Sequence, residues 1–335
     1  MKLSPINLRP GLLIRPEWNA KAIALVASAY SRFSAAAGDP TAKAQAGRWL
    51  GWLVENSTAD VGLGWGYHFD VQTRFFAYRR GTPNVIATSF AIHALLDGYE
   101  LLGEDRWADA ANEACDFLVS RLREQEIERV YFRYLPAEHE LVHNANVLAC
   151  SVLARTAALS GRVELEDHVR QALQSTLAAQ CPDGSWPYSE THGWVDNFHT
   201  AYVLEGLAFC ESLVPGARSQ LERGLDYWEA ELFLSDGTPK YFVERTSPLD
   251  AHNYAQAIET WLSVGSWRPE ALRLADRCAH QLVERMLTPA GYVAFQERRL
   301  WTNRVPFVRW TTGPSFRALA GLELASVRAM ALGSN

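Results

Sequence analysis

Two kinds of apolar segment alternate along the chain. In residues 104–124 and 269–287 the apolar positions recur every three or four residues, which predicts helices with one buried face. Other segments are apolar almost all round, which is typical of helices buried on most sides. These segments are residues 85–102, 145–159, 200–213, 254–264 and 315–330. The pattern therefore predicts an all-α protein in which buried and half-buried helices alternate.

The starts of the predicted buried helices recur about every 55 residues, a period typical of repeat architectures. An earlier helix pair, at about residues 17–37 and 41–55, adds one more unit. Six helical hairpins with buried inner helices predict a closed (α/α)6 barrel, or toroid, since closure covers the ends that an open solenoid must cap. No linker-like segment divides the chain, so we expect residues 1–335 to form a single domain.

Long loops with extended, aromatic-rich pieces precede the buried helices. These pieces are residues 64–69, 130–135, 184–188, 238–243 and 292–296. In a closed barrel the loops gather at one end, and binding sites are commonly built on such loops. We therefore expect a cleft with aromatic walls at this end.

Composition narrows the functional classes. The net charge of −6 argues against a nucleic-acid binder. The chain shows neither the apolar core of a signal peptide nor an apolar run long enough to span a membrane. The five cysteines are scattered without metal-ligand spacing. We therefore expect a cytoplasmic protein with reduced thiols, no metal and no cofactor.

One motif resembles a known family. Gln180, Asp183, Gly184, Ser185 and Trp186 are similar to the QW repeat of the squalene-cyclase and prenyltransferase superfamily. Asp-Gly makes a turn, and Gln can bond neighbouring backbone beneath the Trp. The resemblance implies an α/α barrel. The acidic cluster of the terpene cyclases and the zinc ligands of the protein prenyltransferases are not found in this sequence.

Longer segments resemble short squalene-cyclase-like proteins associated with bacterial polysaccharide biosynthesis. They are residues 82–100, 142–149, 194–207, 250–259 and 295–320. This resemblance implies an oligosaccharide or polysaccharide ligand, and polysaccharide-assembly proteins as partners.

Polar clusters stand where three of the buried helices begin. Asp and Asn are preferred helix caps, but capping does not explain a histidine in each cluster. If the helices form a toroid, we expect these groups to face one cavity, with His199 as acid or base. The predicted catalytic residues are His199, His143, His252, Asp196 and Asp250.

Amide, aromatic and arginine side chains are predicted to bind the substrate. Amides orient it, rings stack on sugars, and the planar guanidinium suits a carboxylate or phosphate. The predicted binding residues are Asn144, Asn197, Trp65, Tyr67, Trp186, Trp194, Arg304, Arg309 and Trp310, with Arg298 and Arg299 nearby.

This mixture of groups predicts a carbohydrate-active enzyme acting on an acidic glycan. A lyase or epimerase needs a neutralised carboxylate and a nearby base, whereas a glycoside hydrolase needs two carboxyl groups, and the residues alone do not choose between them. Two alternatives belong to other classes: a non-catalytic glycan-binding or scaffold module, and an isoprenoid cyclase-like enzyme with a closed apolar cavity. A metal site of His143, His199 and His252 has no supporting spacing.

Overall fold

The computed structural model describes residue 4, residues 6–72 and residues 77–333. Its α-helices are α1 (Ala20–Ala37), α2 (Pro40–Glu55), α3 (Val85–Leu102), α4 (Asp105–Phe117), α5 (His143–Ser160), α6 (Glu164–Leu177), α7 (Asn197–Cys210), α8 (Ala217–Leu232), α9 (Ala251–Ser263), α10 (Ala271–Met286) and α11 (Thr312–Gly333). A π-helical turn, Leu118–Leu122, continues α4.

Short antiparallel strands are confined to the loops. They are β1 (Val71–Gln72), β2 (Ala77–Tyr78), β3 (Arg123–Gln125), β4 (Val130–Phe132), β5 (Leu249–Asp250), β6 (Gln296–Glu297) and β7 (Thr302–Asn303). β1 pairs with β2, β3 with β4, and β6 lies between β5 and β7.

The odd-numbered helices form a closed inner ring. Each packs against the next, and α11 packs back against α1. Among the even-numbered helices, α2, α4, α6, α8 and α10 each pack on the outside of the inner helix that precedes them. The predicted (α/α)6 barrel is thereby confirmed, with one difference: in the described residues the sixth unit consists of α11 alone.

Burial explains which helices are inside. Every residue of α3 from Val85 to Gly98 is buried, whereas α10 buries one stripe that includes Ala275, Cys278 and Leu282. The α3 stretch is also long and apolar enough to cross a membrane by length and composition, but 83% of it is buried inside the protein. A core helix of a barrel passes the same length and composition test, and the burial of α3 is that of an inner barrel helix.

A repeated backbone contact ties each loop to the next. The first residue of an inner helix donates its N–H to the carbonyl of an aromatic residue in the following loop, at 3.0–3.2 Å. The donor and acceptor pairs are Val85 with Tyr134, His143 with Tyr188, Asn197 with Tyr241, and Ala251 with Phe295. The loops that precede the inner helices are therefore gathered at one end, as predicted, and aromatic residues surround the mouth of the barrel.

The Gln180–Trp186 motif is architectural. Gln180 Nε2 donates to the carbonyls of Gly184 and Gln220, and Trp186 Nε1 donates to the carbonyl of Thr176. Gly184 has φ +97°, and a Cβ there would lie 2.5 Å from the Arg223 carbonyl oxygen. Only glycine suits this turn.

A ring of buried and half-buried charges crosses the bore of the barrel, with one residue from each inner helix. These residues are Arg32, Asp97, Arg155, Glu205, Glu259 and Arg317. Asp97 accepts from Arg32 at 3.1 Å and from Arg155 at 2.6 Å. Glu259 pairs with Arg32 at 2.8 Å and with Arg317 at 3.1 Å, and Arg317 lies 3.6 Å from Glu205. This charge ring links the six inner helices across their common axis.

Candidate functional site

The three predicted histidines occupy different positions in their helices. His143 is the first residue of α5, His252 the second of α9 and His199 the third of α7. Successive helical residues point about 100° apart, since a turn takes 3.6 residues. The three imidazole rings therefore point in different directions, and each has its own environment.

His199 forms a dyad with Asp196. Asp196 caps α7 by accepting from the His199 N–H at 2.9 Å, and its other oxygen lies 2.7 Å from His199 Nδ1. The Asp196 side chain is buried, whereas that of His199 is 22% exposed. Within the described part of the chain, His199 Nε2 has no hydrogen-bond partner. The carboxylate thus orients an imidazole whose outer nitrogen remains available for proton transfer.

Aromatic rings surround the imidazole of His199. Tyr188 and Trp194 stack with ring centroids 4.2 Å apart, and His199 meets them edge-on at 4.8 and 5.3 Å. Phe198 lies 4.0 Å away on another side. Flat rings beside a polar dyad are typical of surfaces that bind sugars through their apolar faces.

His143 and Asn144 line the same small pocket as His199. His143 is buried, its Nδ1 lies 3.3 Å from Thr176 Oγ1, and burial lowers its pKa to about 4. Asn144 is also buried, and its Oδ1 has no hydrogen-bond partner among the described residues. Buried amide oxygens are normally paired, so this unpartnered oxygen at the small pocket is unusual.

A larger cavity of about 160 Å³ lies next to this pocket, on the Phe198 side of α7. Its polar wall contains Asp250, His252, Gln296 and Arg298. Gln296 bridges two of them: its Nε2 donates to Asp250 at 2.7 Å, and its Oε1 accepts from Arg298 at 2.9 Å. The rest of the wall is aromatic and consists of Phe198, Tyr241, Phe295 and Trp310.

Both ring nitrogens of His252 are engaged. Nε2 lies 2.8 Å from Tyr202 Oη, and Nδ1 lies 3.2 Å from the carbonyl oxygen of Trp310. Because a carbonyl only accepts, Nδ1 carries the proton and the Tyr202 hydroxyl donates to Nε2. In this state His252 is therefore not a free acid or base.

Of the predicted arginines, Arg298 lines the larger cavity, whereas Arg304 is exposed and lines neither cavity. The Arg309 guanidinium lies 4.5 Å over the Tyr67 ring and 5.2 Å over the Trp310 ring. Burial raises the pKa of Tyr67 although Arg309 opposes this. Arg309 therefore packs against aromatic rings, including that of Trp310 in the wall of the larger cavity.

Three predicted binding residues are part of the structural core. Trp65 is buried and its Nε1 donates to the Leu53 carbonyl. Asn197 donates to the Leu232 carbonyl and accepts from Trp228 Nε1. Both ends of its side-chain amide are therefore hydrogen-bonded to residues of α8. Trp186 forms the floor of the small pocket with its polar atom already bonded. The predicted roles of Trp65 and Asn197 in binding substrate are corrected on this ground.

Several residues of the site were not among the predicted site residues. Tyr188 and Tyr241 could have been found from their place in the repeat, because each lies in the extended aromatic piece of its loop and accepts the N–H of the first residue of an inner helix. Tyr202 lies within α7 and carries no such signal, and Gln296 is a polar residue at the end of an aromatic piece. Among the residues that the structure describes, no group of three or more His, Cys, Asp or Glu side chains could hold a metal ion.

Solved structures of similar architecture include several enzymes. Cellobiose 2-epimerase from Spirochaeta thermophila is 13% identical, with a TM-score of 0.67, 94% of this chain covered and 87% of that chain. Unsaturated glucuronyl hydrolase from Bacillus sp. GL1 is 14% identical, with a TM-score of 0.68 and coverages of 90% and 85%. The GH76 α-mannanase of Bacteroides thetaiotaomicron is 9% identical, with a TM-score of 0.67 and coverages of 95% and 88%.

No protein-family model matches the chain. No curated protein matches it either. At these identities, the structural likeness shows a shared (α/α)6 barrel fold.

Proposed function

We propose that this protein is a carbohydrate-active enzyme that binds an acidic glycan at the mouth of the barrel, with His199 as its acid or base. The Asp196–His199 dyad carries the proposal, because it joins an oriented imidazole to an available Nε2 beside stacked aromatic rings. Solved structures of the same fold include a sugar epimerase and a glucuronyl hydrolase, which supports a glycan substrate.

Each side chain of the site has a role in this proposal. His199 Nε2 transfers the proton, and Asp196 holds the imidazole ring in place through Nδ1. Asn144 meets a polar group of the sugar with its unpartnered oxygen. Arg298, supported by Gln296, meets the acidic group in the larger cavity. The stacked pair of Tyr188 and Trp194 offers an outer ring face to the sugar.

The hydrogen bonds of the carboxylates favour proton-transfer chemistry over two-carboxylate hydrolysis. A glycosidase of that type presents one protonated carboxyl group to the glycosidic oxygen. Asp196 instead accepts bonds at both oxygens, from the N–H and from Nδ1 of His199. Asp250 accepts from the His252 N–H and from Gln296 Nε2. An epimerase or lyase reaction needs only a base beside an activated carbon, which His199 supplies.

The polar cavity walls argue against the isoprenoid cyclase-like alternative, which needs a deep apolar chamber. A glycan-binding module without turnover remains the second candidate, favoured by the engagement of both nitrogens of His252. The resemblance to the squalene-cyclase-like proteins supports a place in polysaccharide assembly with partner proteins. The scattered cysteines support a cytoplasmic setting. The closed inner ring supports treating residues 1–335 as a single domain.

The test uses His199→Gln, with His280→Gln as its control. His280 is 73% exposed on α10, away from the mouth. Uronic-acid and neutral oligosaccharides are incubated with each protein in D₂O, and NMR follows product formation and deuterium incorporation. Binding is measured by calorimetry.

We expect wild type and His280→Gln to incorporate deuterium into an acidic oligosaccharide. His199→Gln should lose about 10²–10⁴-fold in rate while it still binds. Wild-type turnover in His199→Gln would overturn the assignment. Binding without any turnover by the wild type would reject the enzyme and support the binding module.

A further inference from the structure

Lys21, in the first turn of α1, is buried at the centre of the barrel, with 5% of its surface exposed. Lysine is almost never buried in this way unless it is paired. Among the described residues, however, no carboxylate forms an ion pair with it. Its Nζ lies 4.1 Å over the Phe90 ring and 3.4 Å from Tyr202 Oη.

A chain of hydrogen bonds leads from this amine to the larger cavity. Lys21 Nζ donates to Tyr202 Oη, and Tyr202 Oη lies 2.8 Å from His252 Nε2. His252 Nδ1 lies 3.2 Å from the carbonyl oxygen of Trp310. An ammonium group can only donate and a carbonyl can only accept, so the two ends determine the direction of every bond when Lys21 is charged and His252 is neutral.

Two arrangements of the protons satisfy every group in this chain. In the first, the Lys21 ammonium donates to Tyr202, Tyr202 donates to His252 Nε2, and neutral His252 donates from Nδ1. In the second, one N–H bond of Lys21 breaks as Tyr202 gains that proton and passes its own to Nε2. The His252 imidazolium then donates from both nitrogens, and Tyr202 donates to the lone pair of the neutral amine. No proton enters or leaves the chain, and no electrons are transferred.

We propose that Lys21, Tyr202 and His252 form a proton relay in which Lys21 stores the proton that His252 receives at the wall of the larger cavity. Lys21 acts through Tyr202 and is therefore a positioning residue rather than a catalytic one. The use of this proton in turnover rests on the proposed function, whereas the relay itself is a property of the free protein.

The charges around the relay support a shared proton. Burial lowers the pKa of Lys21 well below its ordinary value, Arg309 and Arg317 lower it further, and Glu205 opposes them. At the other end, Asp250 and Arg298 line the cavity with His252. A lowered lysine pKa makes the ammonium a better proton donor to the relay, which reduces the difference in free energy between the two arrangements.

The experiment replaces Lys21 with methionine, which keeps the length of the side chain and removes the charge. Lys43→Met is the matched control, because Lys43 is exposed on α2. Lys21→Gln is a second variant, which retains a donor to Tyr202 without charge. Nitrogen NMR of ¹⁵N-histidine-labelled protein, without any glycan, follows His252 across the pH range.

In wild type and Lys43→Met we expect neutral His252 to carry its proton on Nδ1. In Lys21→Met and Lys21→Gln, the midpoint of His252 should rise by about one pH unit or more, because a neighbouring cation is lost. An apolar packing role for Lys21 would leave this midpoint unchanged. An unchanged midpoint in folded Lys21 variants, or wild-type His252 with its proton on Nε2, would overturn the relay. Since no substrate is used, the relay and the proposed activity can fail separately.

Discussion

At the residue scale, three histidines that look alike in the sequence have three different states. His199 is held by Asp196 and keeps an available Nε2, His252 is bonded at both nitrogens, and His143 is enclosed beside Thr176. Their chemistry follows from what surrounds each ring, because hydrogen-bond partners decide which ring nitrogen can still exchange a proton. Of the three, only His199 has a ring that a carboxylate holds in place and a second nitrogen without a described partner.

The burial of His143 predicts a dependence of stability on pH. Burial lowers its pKa to about 4 in the folded state, whereas an unfolded histidine titrates near 6.5. Above about pH 6.5 both states are neutral and no stability is lost. As the pH falls from about 6.5 to 4, the unfolded state binds a proton that the folded state does not, which costs up to about 3 kcal/mol.

Urea denaturation across this pH range, with wild type, His143→Gln and exposed His280→Gln, measures the effect. His143→Gln should lose this part of the pH dependence, and His280→Gln should retain it. Equal pH dependence in wild type and His143→Gln would contradict the prediction.

At the element scale, buried asparagines join the inner helices to the rest of the barrel. Asn146 of α5 accepts from the Phe132 N–H at 2.8 Å and donates to the Ala172 carbonyl and to Thr176 Oγ1, both at 2.9 Å. It thereby connects α5 to β4 and α6. Asn197 connects α7 to α8 in the same manner, which is why its polar atoms are unavailable to a ligand.

Asn144 and Asn146 offer a matched pair, because both are buried in the first turn of α5. Asn146→Leu leaves the buried N–H of Phe132 without its partner, so we expect a loss of about 1–3 kcal/mol in the free energy of unfolding. Asn144→Leu removes an oxygen that has no partner, so we expect little loss or a small gain in stability, with weaker glycan binding.

Urea denaturation and calorimetry distinguish the two asparagines. An equal loss of stability in both variants would contradict the distinction.

At the scale of the whole molecule, the ion pairs of the charge ring connect the inner helices across the bore of the barrel. Buried ion pairs contribute little net stability but are costly to break from one side, because the remaining charge stays buried. Asp97 has two such partners, Arg32 and Arg155. The pKa of Asp97 lies well below its usual range: burial acts against this, but Arg32 and Arg155 outweigh it.

Asp97→Asn should therefore destabilise the protein by about 3 kcal/mol, since Arg32 and Arg155 each lose one of two carboxylate partners and keep only Glu259 and Glu100. Asp167→Asn is the control, because Asp167 is 71% exposed and pairs with Arg170 on the surface of α6. We expect that control to change the free energy of unfolding by less than about 1 kcal/mol. Denaturant unfolding measures both, and a similar small effect for Asp97→Asn would show that the ring is not needed to hold the helices together.

The sequence by itself determined the helices and their alternation. Segments such as residues 85–102 are apolar all round and residues 269–287 carry one apolar stripe, and this contrast is a local property that the folded state preserves. The recurrence of helix starts predicted the barrel, and the Gln180–Trp186 motif predicted the turn that the structure contains. Within the site, His199 was predicted as the acid or base, which remains a prediction, and the structure places Asp196 against it as a partner.

Only the tertiary structure decided which side chains face the mouth. A residue in the first turn of a helix points where the rotation of that helix sends it, and this rotation is set by packing against neighbours distant in the sequence. His143 and Asn197 are both the first residue of an inner helix, yet His143 lines a pocket and Asn197 bonds within the core. Lys21 belongs to no motif, and it becomes exceptional because α1 packs between α3 and α11, which buries its amine beside Tyr202.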